Sequence, residues 1–306
     1  MNQMTANTPS LKWQHHHAII NKIKLHYVSA GSGEPLVLLH GFPEFWYAWR
    51  HQIPALAEHF HVIAPDLRGY GESEKLPHVA DYQVSEIAQD IVELIHHLGY
   101  KKAHIVGHDW GGAVAWHLSM ENPEIVDYLS ILNCPHPVAL AKALKSNVEQ
   151  MRKSWYIFFF QIPYLPELLF KLFDTTLIKM VFQGSAIRKN TFSDEDLKTY
   201  LSSMRQPGAF TAALNYYRAS FRQLLKHRKA GEKTKKIQAP TLIIWGEKDS
   251  ALGKELTFNL ERFFEGHFKT RYIPDCSHWV NEEYPELVNL LLIQHMKQSK
   301  HSPTDL

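Results

Sequence analysis

Short, continuous apolar runs alternate along this chain with longer stretches whose apolar residues recur every three or four positions. Pro35-Leu-Val-Leu-Leu, His61-Val-Ile-Ala-Pro, Ala103 to Val106, Val126 to Asn133, Pro240 to Trp245 and Phe268 to Pro274 are runs of the first kind. Such runs fill strands buried on both faces of a parallel sheet. Residues 84–98 are of the second kind, with Val84, Ile87, Ala88, Ile91, Ile95 and Leu98 on one face and Gly99 as the stop. Residues 255–264 and 282–297 predict two more helices. Residues 17–30 alternate polar and apolar positions about Asn21, the pattern of a hairpin. Alternating β and α units imply an α/β fold, a mostly parallel sheet with helices on both faces.

The rhythm breaks once. From 137 to 221 no strand-like run occurs, only helical stretches rich in aromatics, among them Trp155, Tyr156, Phe158, Phe159, Phe160, Phe170, Tyr216 and Tyr217. The chain therefore divides into a core, 1–136 and 222–306, and an all-helical insertion, 137–221. The most apolar window, Trp155 to Phe173, is interrupted by Gln161, Pro163, Pro166, Glu167 and Lys171. It reads as the lining of a pocket rather than a membrane span. The basic stretch 226–236 reads as a solvated linker back to the core.

Composition narrows the classes. A net charge of +2 gives no reason to expect a nucleic-acid partner. Two cysteines, Cys134 and Cys276, make no disulfide framework and favour a reducing compartment. The first residues lack the basic and apolar regions of a signal peptide, so a cytoplasmic protein with no membrane span is expected. No feature of the pattern fixes an oligomeric state.

The candidate chemistry gathers at strand ends. Gly107-His-Asp-Trp-Gly-Gly112 joins an apolar run to a helical one, as in the nucleophile elbow, where a sharp turn exposes one side chain above the sheet. Here that residue is Asp109. Two later strands end at Asp249 and His278, so the chain order is nucleophile, acid, histidine. A carboxylate with an ordinary pKa of about 3.9 is ionised at neutral pH and needs no base before it attacks. It suits displacement at an electrophilic sp³ carbon, such as that of an epoxide or alkyl halide. The resulting ester would be hydrolysed by water that gives its proton to His278, with Asp249 orienting the ring. The backbone N–H groups of Phe42 and Trp110 stand where an oxyanion hole is needed. Phe42 belongs to a second loop, His40-Gly41-Phe42-Pro43, at the end of another strand. Asp66 and Arg68, on a glycine-punctuated loop, read as structural. The run His15 to His17 does not read as a metal site, because consecutive strand residues point to opposite faces.

Over nearly its whole length the chain resembles the α/β-hydrolase-fold epoxide hydrolases. The likeness is carried by HGFPEFWYAWRHQ (40–52), APDLRGYGES (64–73), GHDWGG (107–112), WYIFFFQIP (155–163), NYYR (215–218), WGEKD (245–249) and SHW (277–279). The resemblance implies an α/β-hydrolase fold whose insertion forms a cap, and a cis bond before Pro43. It implies that Tyr156 and Tyr217 hydrogen-bond the epoxide oxygen, Tyr216 being the lesser candidate. The product would be a vicinal diol, the reactants a small hydrophobic epoxide and water, with no cofactor or metal. Haloalkane dehalogenases share Asp-Trp at the elbow and are the rival reading, but many place Asn or Glu where this chain has Phe42. Fluoroacetate dehalogenases use two arginines at the positions held here by Trp110 and Ala113. A non-enzymatic binding module on this fold is the remote alternative, since such proteins usually have a broken triad.

Overall fold

The apolar runs become the strands of one sheet. A computed structural model describes residues 13–226 and 235–297. Most of the expected linker and the stretch on which the absence of a signal peptide was argued lie outside the described residues. Eight strands, β1 (Gln14–Ile20), β2 (Ile23–Ala30), β3 (Pro35–Leu39), β4 (His61–Pro65), β5 (Ala103–His108), β6 (Val126–Leu132), β7 (Thr241–Gly246) and β8 (Phe268–Ile273), pair in the order β1-β2-β4-β3-β5-β6-β7-β8. From β4 onward every pairing is parallel; β1 and β2 join antiparallel at one edge. Asn21 and Lys22 both take positive φ (46° and 66°). Two such residues in a two-residue turn match the twist of the flanking strands, which is why the hairpin closes there.

The continuous hydrophobicity of the parallel strands reflects cover on both sides. Along β3, Val37 and Leu39 face one apolar cluster while Leu36 and Leu38 face the other. Helices α1 (Gln52–Ala57), α2 (Val84–His97) and α3 (Trp110–Glu121) flank the first half of the sheet. Ile87, Ala88, Ile91, Leu94 and Ile95 of α2 are buried in the first cluster, each Ile or Leu contributing roughly 1.5–3 kcal/mol. Between β6 and β7 the described residues form the helices α4 (Pro137–Ser146), α5 (Val148–Lys153), α6 (Trp155–Phe159), α7 (Leu165–Phe182), α8 (Asp194–Met204) and α9 (Ala209–Lys226). The last of these runs past residue 221, the expected end of the insertion. After β8 come α10 (Val280–Glu283) and α11 (Pro285–Lys297), the last of the described elements. No described helix is long and apolar enough to cross a membrane.

Two expected helices are corrected. Residues 255–264 form two 3₁₀ turns, Lys254–Thr257 and Glu261–Phe263, not one helix. Leu256, Leu260 and Phe263 are all buried, which gives the helical spacing, but Asn259 sits at φ 55° and breaks the ladder. The helix expected over 282–297 starts at Pro285, where the missing N–H costs nothing at a first helical position.

Candidate active site

Strand β5 ends at His108 and α3 begins at Trp110, leaving Asp109 alone in the turn at φ 48°, ψ −118°. Such a backbone costs on the order of 1–3 kcal/mol for a residue with a Cβ and persists only where its surroundings enforce it. Two glycines do so. A Cβ on Gly111 would stand 2.0 Å from the carbonyl oxygen of Leu39, and one on Gly41 would stand 2.4 Å from the Cβ of Asp109. The elbow is thus packed against the end of β3 backbone to backbone at Gly111, and against the loop that follows by the Asp109 side chain on the Gly41 backbone.

That loop brings a donor to the carboxylate. The Phe42–Pro43 bond is cis, and the Phe42 N–H donates to Asp109 Oδ1 at 2.8 Å. Trp110 is the first residue of α3, so its N–H has no partner within the helix. His40 braces the loop from beneath: its Nδ1 donates to the Gly41 carbonyl at 2.9 Å and its Nε2 accepts from the Leu67 N–H at 3.0 Å. Burial lowers the basicity of His40, in keeping with a neutral ring that donates on one side and accepts on the other.

Asp249 and His278 arrive from the ends of β7 and β8. His278 Nδ1 donates to Asp249 Oδ2 at 2.7 Å, and its Nε2 lies 3.7 Å from Asp109 Oδ2. Asp249 Oδ1 accepts from the N–H groups of Ala251 (2.8 Å) and Leu252 (2.9 Å), while Oδ2 also accepts from Asn133 Nδ2 (2.7 Å). Burial alone would raise the Asp249 pKa, but the charge and hydrogen bond of His278, then Asn133, keep it below the usual range. Burial likewise opposes charge on His278, yet Asp249, and after it Asp109, raise its pKa to about 9. The resting histidine is therefore an imidazolium between two carboxylates.

Sequence reasoning missed three residues. Asn133, at φ 39° after β6, holds Asp249 and accepts from the Gly246 N–H at 2.9 Å. Glu44, fully buried, accepts from the Gly41 N–H (2.9 Å) and from His108 Nδ1 (3.0 Å). His108 Nε2 then reaches the His278 carbonyl at 2.9 Å, linking the Gly41 loop to the histidine loop. An Asn ending an apolar strand was the available signal for the first; for the other two only the HGFPE and GHDWGG strings hinted at a role.

Above the carboxylate lies an apolar cavity of about 320 Å³. Asp109, His278, Phe42, Trp155, Tyr156, Phe159, Phe160, Leu169, Phe170 and Tyr217 are among its lining residues, as expected of the aromatic window. Tyr156 and Tyr217 meet edge to face with ring centroids 5.9 Å apart, and Tyr217 packs likewise on Trp110 at 4.9 Å. Burial, and then the nearby charge of Asp109, lift both phenols above their ordinary range, so both keep their protons. Tyr216 points elsewhere: its hydroxyl donates to the Arg68 carbonyl at 2.7 Å. Asp66 and Arg68 are structural. Asp66 accepts from His26 Nδ1, Trp46 N–H and Glu72 N–H, and Arg68 forms a two-point pair with Asp90 of α2.

The segment after His278 is fastened to the loop between α7 and α8 and to α8 itself. Trp279 Nε1 donates to Ser185 Oγ (2.7 Å), and Glu283 Oε1 accepts from the N–H groups of Ile187 (2.6 Å) and Arg188 (2.8 Å). Glu282 Oε1 accepts from Arg50 (2.5 Å) and from the Tyr200 hydroxyl of α8 (2.9 Å).

Residues 34–285 match the α/β-hydrolase fold family. Epoxide hydrolase 4 of Homo sapiens is 37% identical over 283 residues, spanning 90% of this chain and 76% of that protein. The chain belongs to the epoxide hydrolase family. Within it, epoxide hydrolase 1 of Caenorhabditis elegans is 39% identical over 94% of this chain and 70% of its own length. Among solved structures, a Bacillus megaterium epoxide hydrolase in complex with an inhibitor superposes with a TM-score of 0.84 at 30% identity, covering 92% of this chain and 99% of that one.

Proposed function

We propose that this epoxide hydrolase opens a hydrophobic epoxide by attack of Asp109 and releases a vicinal diol after hydrolysis of the ester so formed. One observation carries the reading. A carboxylate with one oxygen on a backbone donor and the other near an imidazole faces an apolar cavity beneath two protonated phenols. Asp109 Oδ2 attacks an epoxide carbon as Tyr156 or Tyr217 gives its proton to the departing alkoxide. The ring-opened substrate is then esterified to Oδ2, and Oδ1 becomes the ester carbonyl beside the N–H groups of Phe42 and Trp110. With the Asp109 charge gone into the ester, His278 gives up its proton, the tyrosinate left by ring opening takes one back, and the now neutral ring accepts a proton from water, which attacks Cγ. The tetrahedral oxyanion at Oδ1 collapses, the diol leaves with the former Oδ2 and a proton from His278, and the water oxygen stays on Asp109.

In this reading residues 137–221 are a cap over a core made of 1–136 and 222–306. His40, Gly41 and Pro43 shape the oxyanion loop rather than touch substrate. The paired phenols favour an epoxide over a halide, because an alkoxide still attached to the substrate needs an acid to leave and a halide does not. Cys134 and Cys276, both free and buried, fit a reducing, cytoplasmic setting.

The test uses His278→Gln, which should form the ester but break it slowly. The variant is mixed separately with a hydrophobic terminal epoxide and a bromoalkane, and intact masses are taken. An adduct from the epoxide, mapped to Asp109, is the expected result. An adduct from the bromide alone would make the protein a dehalogenase.

A further inference from the structure

A second group of imidazoles sits at the antiparallel edge of the sheet, where the hydrolytic chemistry uses none of them. Strand alternation turns His16 away, to meet Ser29 Oγ at 2.9 Å, and leaves His15 and His17 on the shared face of β1. Across the hairpin His26 of β2 is the register partner of His17. Glu72, from the loop after β4, joins them. One ligand atom each of His15, His26 and Glu72 lies within 4.8 Å of the others, and His15 Nδ1 is 3.0 Å from His26 Nε2. Tetrahedral zinc with nitrogen ligands at 2.0–2.1 Å needs about 3.3 Å between ligand atoms, so a small opening of this pair admits the ion.

The cluster is built from behind. His26 is fully buried, and its Nδ1 lies 2.7 Å from Asp66 Oδ2. A carboxylate only accepts, so the ring proton sits on Nδ1 and the lone pair of Nε2 is aimed at the cluster. That is the carboxylate–histidine arrangement which orients metal-binding imidazoles. Asp66 is itself fixed by the N–H groups of Trp46 and Glu72. His17 Nε2, 3.0 Å from Glu72 Oε2, steadies the third ligand. His15 and Glu72 are exposed, and Glu72 borders an open cavity of about 590 Å³, which gives an ion a route in.

We propose that His15, His26 and Glu72 bind one divalent transition-metal ion of the zinc type, through two imidazole nitrogens and one carboxylate oxygen, with water completing the shell. The proton now shared between His15 Nδ1 and His26 Nε2 moves to His15 Nε2 as the ion enters. The argument against the His15 to His17 run stands; the missing ligand was on the neighbouring strand. The ion would tie the edge hairpin to the loop that follows β4, whose Leu67 N–H reaches His40 under the oxyanion loop.

The experiment uses the full chain, stripped with chelator, and titrates it with Zn²⁺ by calorimetry and with Co²⁺ by visible absorption. The variants are His15→Gln and Glu72→Gln, both at exposed positions, with His16→Gln as the control for an unstructured histidine run. Expected is one ion per chain and d–d bands of a low-coordinate cobalt site. Affinity should fall at least about tenfold in His15→Gln and Glu72→Gln and stay unchanged in His16→Gln. Zinc should also raise the Tm of the parent and not of His15→Gln. Absence of binding, or binding that ignores Glu72→Gln, or binding lost equally with His16→Gln, overturns the proposal.

Discussion

Removing the charge of Asp109 should free His278 to act as a base. The two groups lie 3.7 Å apart, and His278 titrates at about 9. At an effective dielectric constant of ~20, unit charges at that distance attract by roughly 4 kcal/mol, worth up to about three pH units. Partial screening by water trims this, so Asp109→Asn should lower the His278 pKa by about one to three units. The sign follows from the charge removed: an anion beside an imidazolium stabilises it, and its loss favours the neutral ring. Ester formation removes the same charge. The base is thus silenced before the ester exists and released once it forms. Histidine Cε1–H resonances followed against pH in parent and Asp109→Asn would measure the shift, with His278→Gln assigning the signal among 20 histidines. A His278 pKa in Asp109→Asn within about half a unit of the parent value would refute the coupling.

Three further outcomes follow. Tyr156→Phe and Tyr217→Phe should each slow ester formation, by something on the order of the 10²–10⁴-fold of general acid catalysis, and together abolish it. Rapid-quench mass spectrometry reads the adduct, and a double variant that still alkylates would place the acid elsewhere. Gly111→Ala should destabilise the fold by several kcal/mol, since its Cβ would meet the Leu39 carbonyl at 2.0 Å; an unchanged Tm would show that the elbow can open. His278 has a folded pKa above its unfolded 6.5, so its contribution to stability is complete below about 6.5 and lost as pH rises through about 9. The stability gap between parent and His278→Gln should therefore shrink across that window, by on the order of 3 kcal/mol in urea melts. A gap constant with pH would contradict the raised value.

What the sequence disclosed is what is local. Asp109 between glycines, acids and a histidine at strand ends, and a one-turn spacing along α2 are patterns a few residues long. The sheet followed from them because short apolar runs bounded by turn residues and alternating with amphipathic helices fit strands covered on both faces. Glu44 and His108 lie 64 residues apart and meet through a hydrogen bond that no spacing encodes. Asn133 looked like the tail of β6. His26 sits eleven residues from His15, and only the register of the hairpin brings the rings together. Residues 255–264 misled for the opposite reason: their burial is helical in spacing, while one left-handed asparagine makes two turns of a single helix.

The bonds that run from Trp279, Glu282 and Glu283 to Ser185, Ile187, Arg188 and Tyr200 divide the roof of the cavity into two parts. On the α8 side, these bonds join the inserted residues to the segment that carries His278, whose ring is in turn bonded to Asp249. On the α6 side, Trp155, Phe159 and Leu169 line the cavity, while Gln150 of α5 holds the loop after Asp249 through the Ala251 carbonyl and the Gly253 N–H. One side is bonded to the frame of the relay; on the other, apart from Tyr156, the side chains give the cavity its shape. Substitutions that refit the protein to longer or bulkier epoxides belong at Trp155, Phe159 and Leu169, with Tyr156 left in place, so that the shape of the cavity drifts while the acid and the base stay as they are.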